Sequence, residues 1–290
     1  MNKLLKTMLP LIIVVSVVAC KAKEEKVTKY ISAPKGLNLR ESADKQSKSV
    51  SILPFGSEIK VIKTEESEIL LDDRYGQWMN VEASGKIGWI FSSFASDFDP
   101  KTIQHIVAEF YREKYKKLKI DLKEANPDAY KAYTEFKDDE VNVVMILDNY
   151  VLLTIPTNEG GGVGKEDGHV VWKYNNNEKK FKEVFFNEQS AKALLFYLND
   201  DKYPDLIANW GCCDSGEKHI YFGTSEGLVE HKKISCDGYD DDENYPEKIG
   251  RCENTDFACY DGEKQMKYYY KFNCSTSSLE IVKEKEIKQE

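Results

Sequence analysis

Basic residues are in short supply. The 290-residue chain carries 41 Lys and Arg against 50 Asp and Glu, a formal net charge of −9. A concentrated basic surface is what nucleic acid attracts, so nucleic acid is excluded as an expected partner. Electrostatic adhesion to anionic lipid headgroups is excluded on the same ground. Histidine is scarce too: His105, His169, His219 and His231 are the whole complement. They form no His-Glu-x-x-His zinc motif, and no Gly-x-Ser-x-Gly nucleophile elbow occurs. The glycine run Gly160-Gly161-Gly162-Val163-Gly164 lacks the Lys-Ser/Thr pair of a phosphate cradle and reads as a loop. Apolar runs are short; the longest, Met8 to Val18, falls well below the roughly 20 residues that span a bilayer. Between positions 21 and 211 there is no cysteine.

What is present begins at the N-terminus. Lys3 and Lys6 precede the apolar stretch, which closes on Val17-Val18-Ala19-Cys20. That order of charge, short apolar core and small residue is a secretory signal. Charged residues follow at once in Lys21-Ala22-Lys23-Glu24-Glu25-Lys26, a tether rather than more span. The segment resembles the lipobox of bacterial lipoproteins. The resemblance implies cleavage after residue 19 and lipidation of Cys20, with an ordinary signal peptide and an incidental cysteine as the alternative. Each acyl methylene contributes about 0.8 kcal/mol on burial, so one chain holds marginally and two or more hold firmly. Losing Lys3 and Lys6 leaves the mature chain more acidic still, so lipid is the expected membrane contact.

Six further cysteines, Cys212, Cys213, Cys236, Cys252, Cys259 and Cys274, crowd into the last third. An even count in an exported chain points to disulfides. Connectivity stays open, although adjacent Cys212 and Cys213 are expected to bond different partners. A metal site is the alternative, against which stands the failure of both the spacing and the nearby histidines to match zinc patterns.

From Tyr30 short alternating strands appear, separated by turn residues. Gly36-Leu37-Asn38-Leu39-Arg40, Leu53-Pro54-Phe55-Gly56-Ser57-Glu58-Ile59, Gly76-Gln77-Trp78-Met79-Asn80-Val81 and Gly85-Lys86-Ile87-Gly88-Trp89-Ile90 follow one another, closing on Ser92-Ser93-Phe94. This series resembles the successive motifs of bacterial SH3 domains, with Phe94 where a Tyr is usual and an insertion at Glu65 to Asp73. The resemblance implies a small barrel of five to seven strands over residues 29–96, and a ligand among cell-wall peptides, glycans and protein segments. Asn38, Arg40, Tyr75 and Trp78 are the candidate ligand-binding residues. For Trp78, Trp89 and Leu39 a place in the core is the stronger expectation.

Asp97-Phe98-Asp99-Pro100 interrupts the strands. Thr102 then caps an expected amphipathic helix with Ile103, Ile106, Val107, Phe110 and Tyr111 on one face. A second short helix follows Asn126-Pro127-Asp128. Strands return after Asp139: Val141 to Leu147 and Tyr150 to Ile155 around Asp148-Asn149, then Val170 to Tyr174 and Phe181 to Phe186 around Asn175-Asn176-Asn177. Tyr268-Tyr269-Tyr270 reads as strand, and Asp237 to Glu243 as a solvated acidic loop. The stretch from Tyr197 to Ile207 resembles the Asp-rich turn of FG-GAP repeats, in which oxygens hold calcium. Asn199, Asp201 and Asp205 match ligand positions, whereas Tyr197 and Lys202 depart from the pattern. No second copy occurs, so no propeller is expected. Apart from calcium at that turn, no cofactor is expected.

The chain is therefore expected to be mainly β: a signal peptide (1–19), a lipidated tether (20–28), an SH3-like barrel (29–96), a disulfide-containing β-rich domain opening with a helix (101–282) and a charged tail (283–290). The expected role is a non-catalytic envelope lipoprotein. Its partners would be a membrane through lipid, and peptidoglycan or an envelope protein through the barrel. A wall-processing enzyme with an unrecognised active site is the alternative.

Overall fold

The computed structural model describes residues 27–72, 74–157, 166–188, 190–199, 201–210, 215–237, 256–261 and 266–286. The expected leader, Cys20, the Gly160–Gly164 loop, most of the acidic loop, and Cys212, Cys213 and Cys252 lie outside them. So do the side chains of Cys236 and Cys259.

The chain is mainly β. Strands β1 (Thr28–Ile31), β2 (Leu37–Arg40), β3 (Ser49–Leu53), β4 (Glu58–Thr64), β5 (Ile69–Leu71), β6 (Arg74–Gly76), β7 (Trp78–Ala83), β8 (Lys86–Phe91) and β9 (Ala95–Ser96) form the first unit. Seven of them make one curled antiparallel sheet in the order β3-β2-β8-β7-β4-β1-β9. Alternation directs every second residue inward: Met79, Val81 and Ala83 from β7 meet Ile31, Leu39, Ile59 and Ile90. Gly88 allows the sheet to close, because a Cβ there would lie 2.7 Å from the Arg40 carbonyl oxygen. The insertion at Glu65 to Asp73 contributes to a small hairpin, β5–β6, paired from Ile69↔Gly76 to Leu71↔Arg74.

Helix α1 (Pro100–Leu118) follows directly. Its N-cap is Asp99 rather than Thr102: the Asp99 carboxylate accepts the Lys101 N–H at 3.0 Å, and Pro100 occupies the first turn, where no N–H is needed. The buried stripe is Ile103, Val107, Ala108, Tyr111 and Tyr115. Ile106 and Phe110, expected on that face, sit at its margin, 38% and 42% exposed. Two short helices, α2 (Leu122–Ala125) and α3 (Pro127–Thr134), complete the helical segment. Asn126 caps α3 by accepting the Ala129 N–H.

Three antiparallel meanders follow, the first packed on the helix and the others layered behind it. The first sheet holds β10 (Asn142–Leu147), β11 (Tyr150–Thr157), β12 (Glu166–Asn175) and β13 (Lys180–Asn187). The second holds β14 (Ser190–Phe196), β15 (Asp205–Trp210), β16 (Ser215–Gly223) and β17 (Leu228–Asp237). The third holds β18 (Asp256–Asp261), β19 (Met266–Asn273) and β20 (Ser278–Glu286). β20 thus carries Lys283 to Glu286, at the start of the expected tail, into the sheet.

The layering explains the apolar pattern. Val151, Leu153 and Ile155 of β11 face α1, while Tyr150 and Leu152 face the second sheet. With both faces covered, β11 is apolar without alternation. Phe196, Ile207 and Ile220 on the far side of the second sheet meet Tyr270, Phe272 and Leu279 of the third. Cys274 packs half-buried against that last core. The helix is pinned to the first sheet by charge as well as by packing. Lys114 lies 3.7 Å from the Phe186 ring centroid and 3.1 Å from Glu183, whose carboxylate also accepts the Tyr111 hydroxyl.

Candidate functional site

Barrel and first sheet meet across a cleft of about 420 Å³. Three local devices position its walls. At the β6–β7 junction the Gln77 N–H donates to Ser92 Oγ at 2.8 Å, and the Ser92 N–H returns to the Gln77 carbonyl at 2.9 Å. Gly76 permits this, since a Cβ there would come within 2.8 Å of Ser92 Oγ and 3.0 Å of the Phe91 ring. On the opposite wall, Asp148 adopts φ +51 in the two-residue β10–β11 turn, a conformation short polar residues tolerate. Beside it the Asn149 Nδ2 donates to the Tyr174 carbonyl at 2.8 Å. Phe98 forms part of the lining, packed against Tyr174 and Phe181 with centroids 5.0 and 4.9 Å apart.

Arg74 clasps the two walls together. One terminal nitrogen donates to the Ser93 carbonyl at 3.3 Å and to the Ile146 carbonyl at 3.1 Å, joining barrel to first sheet. Its guanidinium carbon lies 4.7 Å from the Phe94 ring centroid. Burial lowers the Arg74 pKa, opposed by Tyr197, Asp148 and Asp72; an arginine stays charged despite such a shift.

The four candidate ligand residues of the barrel separate. Tyr75 alone among them lines the cleft. Trp78 is buried, its ring edge-on to Phe91 at 5.6 Å. Asn38 is exposed on β2 and accepts the Ser49 hydroxyl, and Arg40 donates to the Ser47 carbonyl at 2.6 Å. Of the other residues suited to a core, Leu39 is fully buried, whereas Trp89 is half-buried with Lys63 over its ring at 5.9 Å. Sequence reasoning passed over Arg74, Gln77, Asn149 and Asn176. The last two stood in segments recognised as turns, and nothing local marked the barrel as their neighbour.

The first unit matches the expectation of a small curled β unit. Residues 35–96 match the bacterial SH3 domain family. β1 precedes the matched stretch yet pairs with β4 and β9, so the SH3 unit begins ahead of it. No curated protein and no solved structure matches the chain.

The Asp-rich turn is wired to its own backbone. Asn199 Oδ1 accepts the Asp201 N–H at 3.0 Å, and Asp201 Oδ1 accepts the Tyr203 N–H at 2.7 Å. Asp205 is fully buried. Its Oδ2 accepts Leu198 and Asn199 N–H at 2.7 and 3.3 Å, and its Oδ1 accepts Gly223 N–H at 2.9 Å. Burial pushes this carboxyl up to about 7, with those three donors opposing the shift. Among the described residues no trio of His, Cys, Asp and Glu is placed to hold a metal ion. Elsewhere, His219 lies buried between Glu230 at 2.7 Å and Glu217 at 2.9 Å, and burial brings Lys218 down to about 8.

Proposed function

We propose that the chain is a non-catalytic lipoprotein of a bacterial cell envelope, held at a membrane through lipid on Cys20 and binding a cell-wall or protein ligand through its SH3 unit. The observation that carries this reading is the family match over residues 35–96, on a sheet that curls as such a unit requires. The charge, short apolar leader and small residues before Cys20 support the anchoring. Among the described residues no helix is long and apolar enough to cross a membrane. The six clustered cysteines support an oxidising compartment.

Two tests address the halves of this reading. Cells fed an alkyne-tagged fatty acid should label the full chain, and Cys20→Ser should lose the label and leave the membrane fraction. A C20S chain that stays labelled refutes the lipobox. The mature chain should also be retained by purified peptidoglycan sacculi or should capture one envelope protein reproducibly. Absence of both would remove the binding role.

The Asp-rich turn is proposed to be structural, with no resident cofactor. Its acceptor oxygens already serve backbone donors, whereas calcium takes six to eight oxygens. Excess calcium and a chelator should therefore give the same melting temperature; a clear rise with calcium would assign Asn199, Asp201 and Asp205 to a metal.

A further inference from the structure

A lipid on Cys20 holds the barrel close to a bilayer. β1 opens at Thr28, and the chain between Cys20 and that residue reaches roughly 28 Å when fully extended. Strand pairing carries the level of Thr28 across the sheet: Thr28 faces Lys60, Lys60 faces Glu82, and Glu82 faces Ile87. Neighbouring strands lie about 4.8 Å apart, so the tether and Ile87 share one end of the barrel.

The outer face of the sheet is apolar there, where a solvated sheet is polar. Leu39, Leu53, Val81 and Ile90 are committed to the core, which by alternation turns Ile52, Ile87 and Trp89 outward. Ile52 is 68% exposed and Ile87 61%. Trp89, half-buried on the strand of Ile87, pairs with Arg40 and Asn80. Ile62, at the bulge of β4, adds another exposed isoleucine. Single exposed apolar residues are ordinary, whereas a group of them marks an interaction surface.

Charge around the patch nearly balances. Arg40, Lys60, Lys63 and Lys86 border it, against Glu58, Glu65 and Glu82, and Lys63 is already paired with Glu65 at 2.9 Å. A strongly charged occupant therefore finds no excess of the opposite sign. A tryptophan beneath a lysine suits a bilayer interface: the ring lies at headgroup level while the ammonium stays in water.

We propose, on the anchoring reading, that this outer face of the SH3 sheet rests on the lipid surface that holds Cys20, with Trp89, Ile52, Ile62 and Ile87 as its contacts. The tether keeps the local concentration of bilayer high, so a weak apolar contact suffices. The barrel is thereby oriented on the membrane, not merely leashed to it.

Trp89 is its own probe. The lipidated full chain, reconstituted at low density in phosphatidylcholine vesicles holding a doxyl-labelled lipid, should show quenched tryptophan emission, and Trp89→Phe should remove that quenching. Ile52→Ser combined with Ile87→Ser should lower the ratio of docked to free barrel about tenfold, the effect of losing two partly buried isoleucines. The chain should stay in the membrane fraction through its lipid. Both isoleucines are exposed in the barrel, so the melting curve of the double variant should overlay the parent. High salt should leave the quenching in place. No quenching in the lipidated chain, equal quenching in the folded double variant, or quenching that salt abolishes each overturns the proposal and leaves the anchor intact. Trp89 emission that follows protein density instead of the lipid label also overturns it and assigns the face to a second copy. If Cys20 takes no fatty acid, the anchoring reading falls and the proposal with it, an outcome the alkyne label reports separately.

Discussion

Replacing Asp205 with alanine should destabilise the layered domain by about 3–5 kcal/mol, the range reached when several buried hydrogen-bond donors lose their acceptor. The residue opens β15 and is fully buried. Its two oxygens gather the N–H groups of Leu198 and Asn199 before the strand and of Gly223 at the end of β16. One side chain thereby closes the β14–β15 turn and ties it to the neighbouring hairpin. Water cannot take over, because the backbone around it is packed: a Cβ on Gly223 would lie 2.3 Å from the Pro204 carbonyl oxygen. Asp205→Asn keeps one acceptor oxygen but turns an amide towards a donor, so its cost should be intermediate. Chemical denaturation followed by near-ultraviolet circular dichroism reads both variants. An unchanged midpoint in D205A would mean that the three N–H groups find other partners.

The same carboxyl sets a pH dependence. In the folded chain its pKa is pushed up to about 7 by burial, whereas an unfolded aspartate titrates near about 4. The folded state therefore binds the proton more tightly. Stability from this group is fully present in acid below the unfolded value, declines as pH rises from about 4 to about 7, and levels off above that. Asp205→Asn has no such proton and should flatten that part of the stability–pH curve. An equal slope in both proteins between those limits would contradict the burial argument.

The second large effect concerns the joint between the units. Arg74→Met should weaken the coupling of barrel to layered domain by about 1.5–3 kcal/mol, the range for one hydrogen bond to a charged group, since the bond to Ile146 is the one that crosses the joint. Methionine keeps an apolar stem against Phe94 but cannot donate to the Ser93 and Ile146 carbonyls. Neither unit relies on Arg74 for its own core, so both should stay folded. Calorimetry should then resolve two transitions where the parent shows one, and protease should cut the connector near Asp97 to Pro100 more readily. Arg74→Lys retains charge but loses the planar head that lies on the Phe94 ring, and should fall between the two. A single unshifted transition in R74M would show that Phe98 and its aromatic neighbours hold the units together without it.

Much of the architecture is legible in local pattern. Alternation in Trp78 to Ala83 reports one buried face, and the spacing of Ile103, Val107 and Tyr111 reports a helix lying on a surface. The ordered glycine and tryptophan motifs carry the SH3 likeness because tight turns and close strand approach demand those residues wherever they occur. Local pattern leaves the helix start open by three residues, because Asp99 and Thr102 are both good caps. Only the backbone path into Pro100 decides between them. Trp78 was ambiguous for a related reason: a tryptophan beside a turn suits a groove and a core alike, and Phe91, brought opposite by the β7–β8 pairing, puts it inside.

The sequence by itself determined the parts whose physics is local: the acidic balance, the strand and helix periods, and the turns at Asp148-Asn149 and Asn175–Asn177. Tertiary structure alone decided what those turns face. Asn149 and Asn176 stand far along the chain from Tyr75 and Ser93, and Arg74 reaches Ile146 across the joint between units. No periodicity encodes such meetings, because they arise from packing one finished surface against another. Likewise, Asp205 looks like a metal ligand in one dimension. In three it is a buried acceptor for backbone donors from two hairpins, and that burial gives it a structural role.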